Sequence, residues 1–272
     1  MLAGGAAAGA FGSLLGLGGG LLIVPLLTFG FGLGLREAVG VSLVSVIMTS
    51  SAAAGVYLER HVANLRLGMT LELFTAMGAL IGGSIAFLLD ERLLAFLFAI
   101  LLLYVAATML LAGRRSTDGH EAADDESPPD EHRTATPVAS AADGEAPEAT
   151  PIHGLPIGIV GSFGAGIVSA LLGIGGGIIK VPLMHLAMGV PLRVATATSN
   201  LMIGITAAAS AVIYALNGGI DPFVAGPTAI GVFVGASAGS RLAHRIQLRY
   251  LRWLFIVVLG YTAIQMLVRA FG

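Results

Sequence analysis

Residues 171–183 read Leu-Leu-Gly-Ile-Gly-Gly-Gly-Ile-Ile-Lys-Val-Pro-Leu, and residues 14–26 read Leu-Leu-Gly-Leu-Gly-Gly-Gly-Leu-Leu-Ile-Val-Pro-Leu. Each is a glycine run inside an apolar segment, with Val-Pro shortly after it. Glycine lets the backbone leave helical geometry. Proline is unsuited to a helix interior but fits a first turn. Each stretch therefore predicts a break in an apolar helix.

The two breaks belong to a duplication. A shift of 157 positions superposes the two parts without a gap. It pairs Gly18, Gly19 and Gly20 with Gly175, Gly176 and Gly177, and Pro25 with Pro182. Arg36 pairs with Arg193, Ser42 with Ser199, Thr49 with Thr206, and Tyr57 with Tyr214. Gly78 and Gly82 pair with Gly235 and Gly239. Repeats of this kind are common in secondary transporters.

Of the 272 residues, 56% are hydrophobic and 11% charged, against about 25% charged in ordinary globular domains. Several apolar runs have the roughly 18–20 residues that cross a bilayer. The predicted fold class is an all-α polytopic membrane protein with about eight hydrophobic segments. These form two homologous four-segment halves, near 1–30, 37–58, 67–89 and 93–112, then 155–189, 194–216, 222–242 and 250–269. The first segment of each half carries the break. The expected division is a first repeat over 1–113, an acidic disordered linker over 114–153 and a second repeat over 154–272. Residues 116–153 hold ten acidic residues and one arginine, with little to bury. The third segments place small residues four apart at Gly78 and Gly82 and at Gly235 and Gly239, a spacing that lets helices approach closely in lipid. The N-terminus lacks the basic start of a cleavable signal, so the first segment is expected to be retained.

Non-helical backbone at membrane depth survives only where protein packs it or a wet cavity meets it. Two matched breaks therefore point to a shared central site, although the same glycines also suit tight packing. A short helix restarting near Leu21 and near Ile178 would turn free amides toward an anion. Lys180 is the only lysine in the chain and stands where the first half has Ile23. A cation in a membrane segment usually marks a functional site, the alternative being a side chain reaching back to the interface. Ser42, Ser45 and Thr49 share one helical face by their spacing. Thr196, Ser199 and Thr206 form the matching face, with Asn200 beside it. These groups suit the oxygens of an anion, and equally suit bonds to their own helix. The candidate substrate-binding residues are thus Gly18, Gly19, Gly20, Pro25, Ser42, Ser45, Thr49, Gly175, Gly176, Gly177, Lys180, Pro182, Thr196, Ser199 and Asn200. Glu72 is a candidate proton carrier, or a group near enough to a helix end to reach water. His185, Arg36 and Arg193 admit both structural and functional readings.

Other chemistries find no support. There is no cysteine, hence no disulfide or thiolate site. The histidines lack metal-ligand spacing. The glycine run at 16–20 lacks the Gly-Lys-Ser/Thr ending of a nucleotide loop and follows no strand. No enzyme and no cofactor is expected. The expected partners are a small anion and the lipid bilayer, with no nucleic acid; a homo-oligomer stays open.

The doubled Gly-x-Gly-Gly-Gly-x-x-x-Val-Pro stretch, the four-segment halves and the run Ala195-Thr196-Ala197-Thr198-Ser199-Asn200 resemble the TauE/SafE sulfite exporter family, also described as 4-toluenesulfonate uptake permeases. The resemblance covers nearly all the chain outside the linker. It implies a cytoplasmic-membrane transporter of sulfur-containing or organic anions such as sulfite or sulfonates, coupled to the proton gradient. The long acidic linker departs from the family's short connection. A reading from another class is a membrane scaffold that transports nothing and recruits a partner through that linker.

Two topologies remain open. If each broken segment crosses, the halves are parallel and the arginines other than Arg133 divide seven to five. If each re-enters, the halves are inverted and the division is nine to three, closer to the positive-inside rule.

Overall fold

The computed structural model describes residues 1–14, 20–59, 64–118, 154–242 and 248–271. Among them all regular structure is helical. The elements are α1 (Leu2–Leu14), α2 (Gly20–Pro25), α3 (Leu35–Glu59), α4 (Leu65–Leu88), α5 (Glu91–Asp118), α6 (Leu155–Leu172), α7 (Gly177–Pro182), α8 (Leu192–Leu216), α9 (Pro222–Leu242) and α10 (Leu248–Phe271). Short π-helical turns, Leu26–Gly30 and Leu183–Ala187, follow α2 and α7. Among the described residues, five helices are long and apolar enough to cross a membrane: those in α4, α5, α6, α8 and α9. Helix α5 continues to Asp118, past the boundary expected at 113. The rest of the acidic stretch lies outside the described residues.

The second break forms for the reason its glycines suggest, and residues 15–19 of the first lie outside the described residues. Gly173, Gly175 and Gly176 have φ of +71°, +79° and +75°, a left-handed conformation that penalises any side chain. The prolines behave otherwise than expected. Pro25 and Pro182 end α2 and α7 instead of opening a helix. A proline there has no N–H for the carbonyl four residues earlier. The backbone after it widens into the π turn.

The second broken segment folds back on itself. A Cβ built on Gly154 would lie 3.0 Å from the Ala187 carbonyl oxygen, and one on Gly161 would lie 2.6 Å from Leu183 Cδ1. One on Gly176 would lie 3.4 Å from the Ala165 oxygen. The contacts run in reverse order, so α7 and its π turn return alongside α6. In the first copy the Gly4 position lies 3.2 Å from Leu26 Cδ2 and 3.3 Å from Phe31 Cε2. Each broken segment thus begins and ends on one face of the molecule.

The long helices confirm two faces. Arg36, at the start of α3, donates to the carbonyls of Ala86 and Leu89 at the end of α4. Arg269, at the end of α10, lies 3.5 Å from Glu91, at the start of α5. The Gly40 position meets the Gly219 carbonyl, just past α8. On the other face, the backbone N–H of Asn64 donates to Thr198 near the start of α8. Helices matched by the 157-residue offset, such as α3 and α8, therefore run in opposite directions.

Small residues pack the remaining pairs. Helix α1 lies along α9 and α4 along α6. Cβ atoms built on Gly78 and Gly82 would fall 2.1 and 2.5 Å from the carbonyl oxygens of Phe163 and Ile167. Those on Gly231 and Gly235 would fall 2.2 and 1.9 Å from the oxygens of Leu2 and Ala6. The predicted pair Gly78 and Gly82, and Gly235 of the second pair together with Gly231, are thus helix contacts, and each set joins the third segment of one repeat to the first segment of the other.

Candidate functional site

Helices α3 and α8 cross at their middles. The Gly175 Cβ position is 2.8 Å from Val46 and 2.6 Å from Ile203, each the twelfth residue of its 25-residue helix. Ser50 of α3 donates to the Asn200 carbonyl of α8 at 2.6 Å beside the crossing. The second glycine break, together with Gly20 from the first, is held at this point. Gly18 and Gly19 lie outside the described residues.

Ser42 joins the two breaks. Its hydroxyl lies 2.7 Å from the Gly173 carbonyl oxygen and 3.2 Å from that of Gly20. One proton serves one of them at a time, and the shorter contact is to Gly173. Ser42 thereby satisfies backbone that the break leaves without helical partners. Ser45 donates to Val41 and Thr49 to Val46, both within α3. Thr196 is half-buried one turn before Ser199. The hydroxyls of Ser199 and Ser169 are buried without a hydrogen-bond partner among the described residues. Both flank the break: Ser199 Oγ is 3.5 Å from the Gly177 Cβ position and Ser169 Cβ is 3.3 Å from that of Gly176. A narrow space lined by Leu101, Val168, Ser169, Ile174, Gly176, Ile178 and Ile179 opens beside Ser169.

Lys180 does not reach for an interface. It is 1% exposed, and its ammonium donates to Glu72 of α4 at 3.0 Å and to Thr206 of α8 at 2.6 Å. Thr206 lies 2.6 Å from the second carboxylate oxygen of Glu72 and 3.1 Å from the Met202 carbonyl oxygen. Ammonium, carboxylate and hydroxyl form a closed triangle with no net charge. Taking both charges out of water is costly, and only close geometry with further hydrogen bonds offsets it. The triangle supplies both, from three separate elements.

The 157-residue offset gives the triangle no twin. The matching positions are Ile23 for Lys180, Ala229 for Glu72 and Thr49 for Thr206. Among the described residues the duplicated scaffold thus carries one buried ion pair.

Two of its members were undervalued in the sequence. Glu72 sits two turns inside α4 and is 4% exposed, so it does not reach water. A signal was present: a lone buried lysine demands an anion, and Glu72 is the acidic residue set within an apolar segment. In the sequence Thr206 shows only as part of a hydroxyl face. His185 takes the structural role, its Nδ1 2.9 Å from the Val190 carbonyl oxygen. Arg36 does likewise, capping the end of α4; the Arg193 side chain lies outside the described residues.

Comparison with known proteins agrees with a membrane carrier. A family model described as "Sulfite exporter TauE/SafE" matches residues 1–266. A "Probable membrane transporter protein YunE" of Bacillus subtilis is 24% identical over 261 residues, covering 93% of this chain and 90% of that protein. A "Probable membrane transporter protein MJ0441" of Methanocaldococcus jannaschii is 26% identical over 275 residues, covering 95% and 91%. A "Probable membrane transporter protein" of Xylella fastidiosa (strain 9a5c) is 27% identical over 233 residues, covering 85% and 79%. No solved structure matches. With a family model spanning nearly its whole length, the chain belongs to the TauE/SafE sulfite exporter family.

Proposed function

We propose that the protein is a secondary transporter of small sulfur-containing or organic anions, proton-coupled and embedded in the cytoplasmic membrane. The observation that carries this reading is the buried Lys180–Glu72–Thr206 triangle beside a glycine break, where two long helices cross. An ion pair kept inside an apolar helix bundle costs stability that a merely structural contact would not require. Broken helices at a repeat interface are where carriers of this architecture hold their substrates. The residues flanking the break, Gly175, Gly176, Gly177, Ser169 and Ser199 with Lys180, form the anion site in this reading. The test is flux into proteoliposomes of labelled sulfite and of ethanesulfonate. Uptake well above that of protein-free vesicles is expected for at least one of them. Equal uptake in the two preparations sinks the reading.

In this proposal the two halves, 1–113 and 154–272, are inverted units of three spans plus a folded-back segment, joined by the acidic linker. By their places in the chain Arg66, Arg114, Arg115, Arg193, Arg241, Arg249 and Arg252 belong to the face where α4 and α6 begin, and this topology assigns Arg60 and Arg245, which lie outside the described residues, to it as well. Arg36, Arg92 and Arg269 fall on the other. Nine against three puts the first face, and the linker, in the cytoplasm. The chain has no cysteine, so single-cysteine labelling is clean. In intact cells an impermeant maleimide should label Asp90→Cys and should reach Arg66→Cys only after permeabilisation. Labelling of both from outside would contradict the arrangement.

A further inference from the structure

Lys180 is the one cation in the buried site, and Glu72 already holds it. The carboxylate presents its oxygens to an ammonium and a hydroxyl, at 3.0 Å and 2.6 Å. Those are the contacts that a sulfonate, sulfite or carboxylate substrate would seek. A Cβ built on Gly176 would lie 3.3 Å from Ser169 Cβ, 3.4 Å from the Ala165 carbonyl oxygen and 3.5 Å from Lys180 Cε, so the break packs against the stem of the lysine. Ser169, at Gly176, and Ser199, 3.5 Å from the Cβ position of the next residue Gly177, hold buried hydroxyls without partners among the described residues, donors that Glu72 does not use. An anion seated at the break would thus find the lysine and two spare hydroxyls.

It would not find the lysine free. Two anions on one ammonium leave a net negative charge in an apolar interior, which the surroundings do not solvate. We propose that the transported anion and Glu72 compete for Lys180, so that an anion occupies the lysine only when Glu72 carries a proton. This deepens the transport reading above and rests on it. The exchange balances: a monovalent anion and a proton enter, the Lys180–Glu72 pair separates, and a Lys180–anion pair and a neutral Glu72 carboxyl result. The site has no net charge before or after. One proton therefore accompanies each monovalent anion, and the transfer is electroneutral.

Few other groups titrate nearby. Helix α6 has no ionisable residue, and α7 has only Lys180. On α4 itself, Arg66 is exposed at the helix start. On α8, the Tyr214 hydroxyl donates to the Ala170 carbonyl near the far end of the helix, and Arg193 stands in the first turn with its side chain outside the described residues. His185, in the π turn, is held at the Val190 carbonyl. Glu72 is thus the group whose protonation the exchange requires.

The experiment compares the native chain with Glu72→Gln in proteoliposomes and by thermal stabilisation, using ethanesulfonate, whose charge is constant across the pH series. For the native chain, affinity should fall about tenfold per pH unit above the pH at which Glu72 loses its proton. A trapped pH dye should count one proton per anion, and a potassium–valinomycin clamp should leave the flux unchanged. Glu72→Gln should bind with an affinity flat in pH and exchange labelled for unlabelled anion, yet a pH gradient should drive no accumulation. If Glu72→Gln keeps both the pH-dependent affinity and the accumulation, the competition is wrong while transport stands. If that variant does not fold, the native measurement decides: flux that follows the potential, or moves no proton, overturns the proposal. If neither sulfite nor ethanesulfonate stabilises or crosses with the native chain, the transport reading itself fails and takes this proposal with it.

Discussion

Lys180→Met should abolish anion flux and destabilise the protein by about 3–5 kcal/mol, the usual cost of removing one partner from a buried ion pair. Methionine has a similar length and no charge, so the loss is electrostatic. It leaves the Glu72 carboxylate buried at 4% exposure with only the Thr206 hydroxyl for company. Acidification should narrow the deficit, because a proton on Glu72 replaces the missing ammonium. The double variant Lys180→Met with Glu72→Leu should recover most of the stability, since an apolar replacement of a buried pair is often neutral or better. Flux should stay absent in it. That split separates holding the fold from handling the anion. Ile23→Met is the matched control: Ile23 is fully buried at the equivalent position, and an apolar swap of similar volume costs less than about 1.5 kcal/mol. A melting temperature for Lys180→Met equal to that of the native protein, measured in detergent, would show that the pair contributes nothing.

Gly235→Val should prevent the native fold or cost roughly 3 kcal/mol or more, the upper end of overpacking penalties. Its Cβ would fall 1.9 Å from the Ala6 carbonyl oxygen, and backbone cannot move aside as a flexible side chain can. The contact holds α1 to α9. Gly78→Val should act similarly where α4 meets α6, with its Cβ 2.1 Å from the Phe163 oxygen. Gly260→Ala, inside α10, is the contrast. No atom of another helix or side chain beyond its chain neighbours lies within 4 Å of its Cβ position, and alanine should add up to about 1 kcal/mol through helix propensity. Size-exclusion profiles after a temperature series read both. If Gly235→Val melts with the native protein, the close approach of α1 and α9 is not as described.

Much of the architecture was written in periodicity and composition. The apolar runs marked most of the long helices to within a few residues, because each must satisfy its backbone within itself in lipid. The glycine stripes marked helix contacts, because only hydrogen fits against a neighbouring carbonyl. The hydroxyl faces were visible, but their use was not. A serine at membrane depth bonds whichever backbone is nearest, and for Ser42 that is the break itself. Spacing along α3 cannot show that α6 ends beside it. Pro25 and Pro182 were recognised as breakers, yet their place at the end of a short helix depends on where each helix restarts.

The sequence by itself determined that two glycine breaks sit at matched points of a duplicated apolar chain, and that the second alone carries a lysine. Those are facts of composition and spacing along one chain. Tertiary structure alone decided that the second broken segment turns back along itself, so that helices matched in sequence run in opposite directions. It also decided what the lysine means. Glu72 is 108 residues away in sequence and 3.0 Å away in space. A buried charge must be matched by whatever the fold brings to it, and no local pattern records which distant carboxylate that will be.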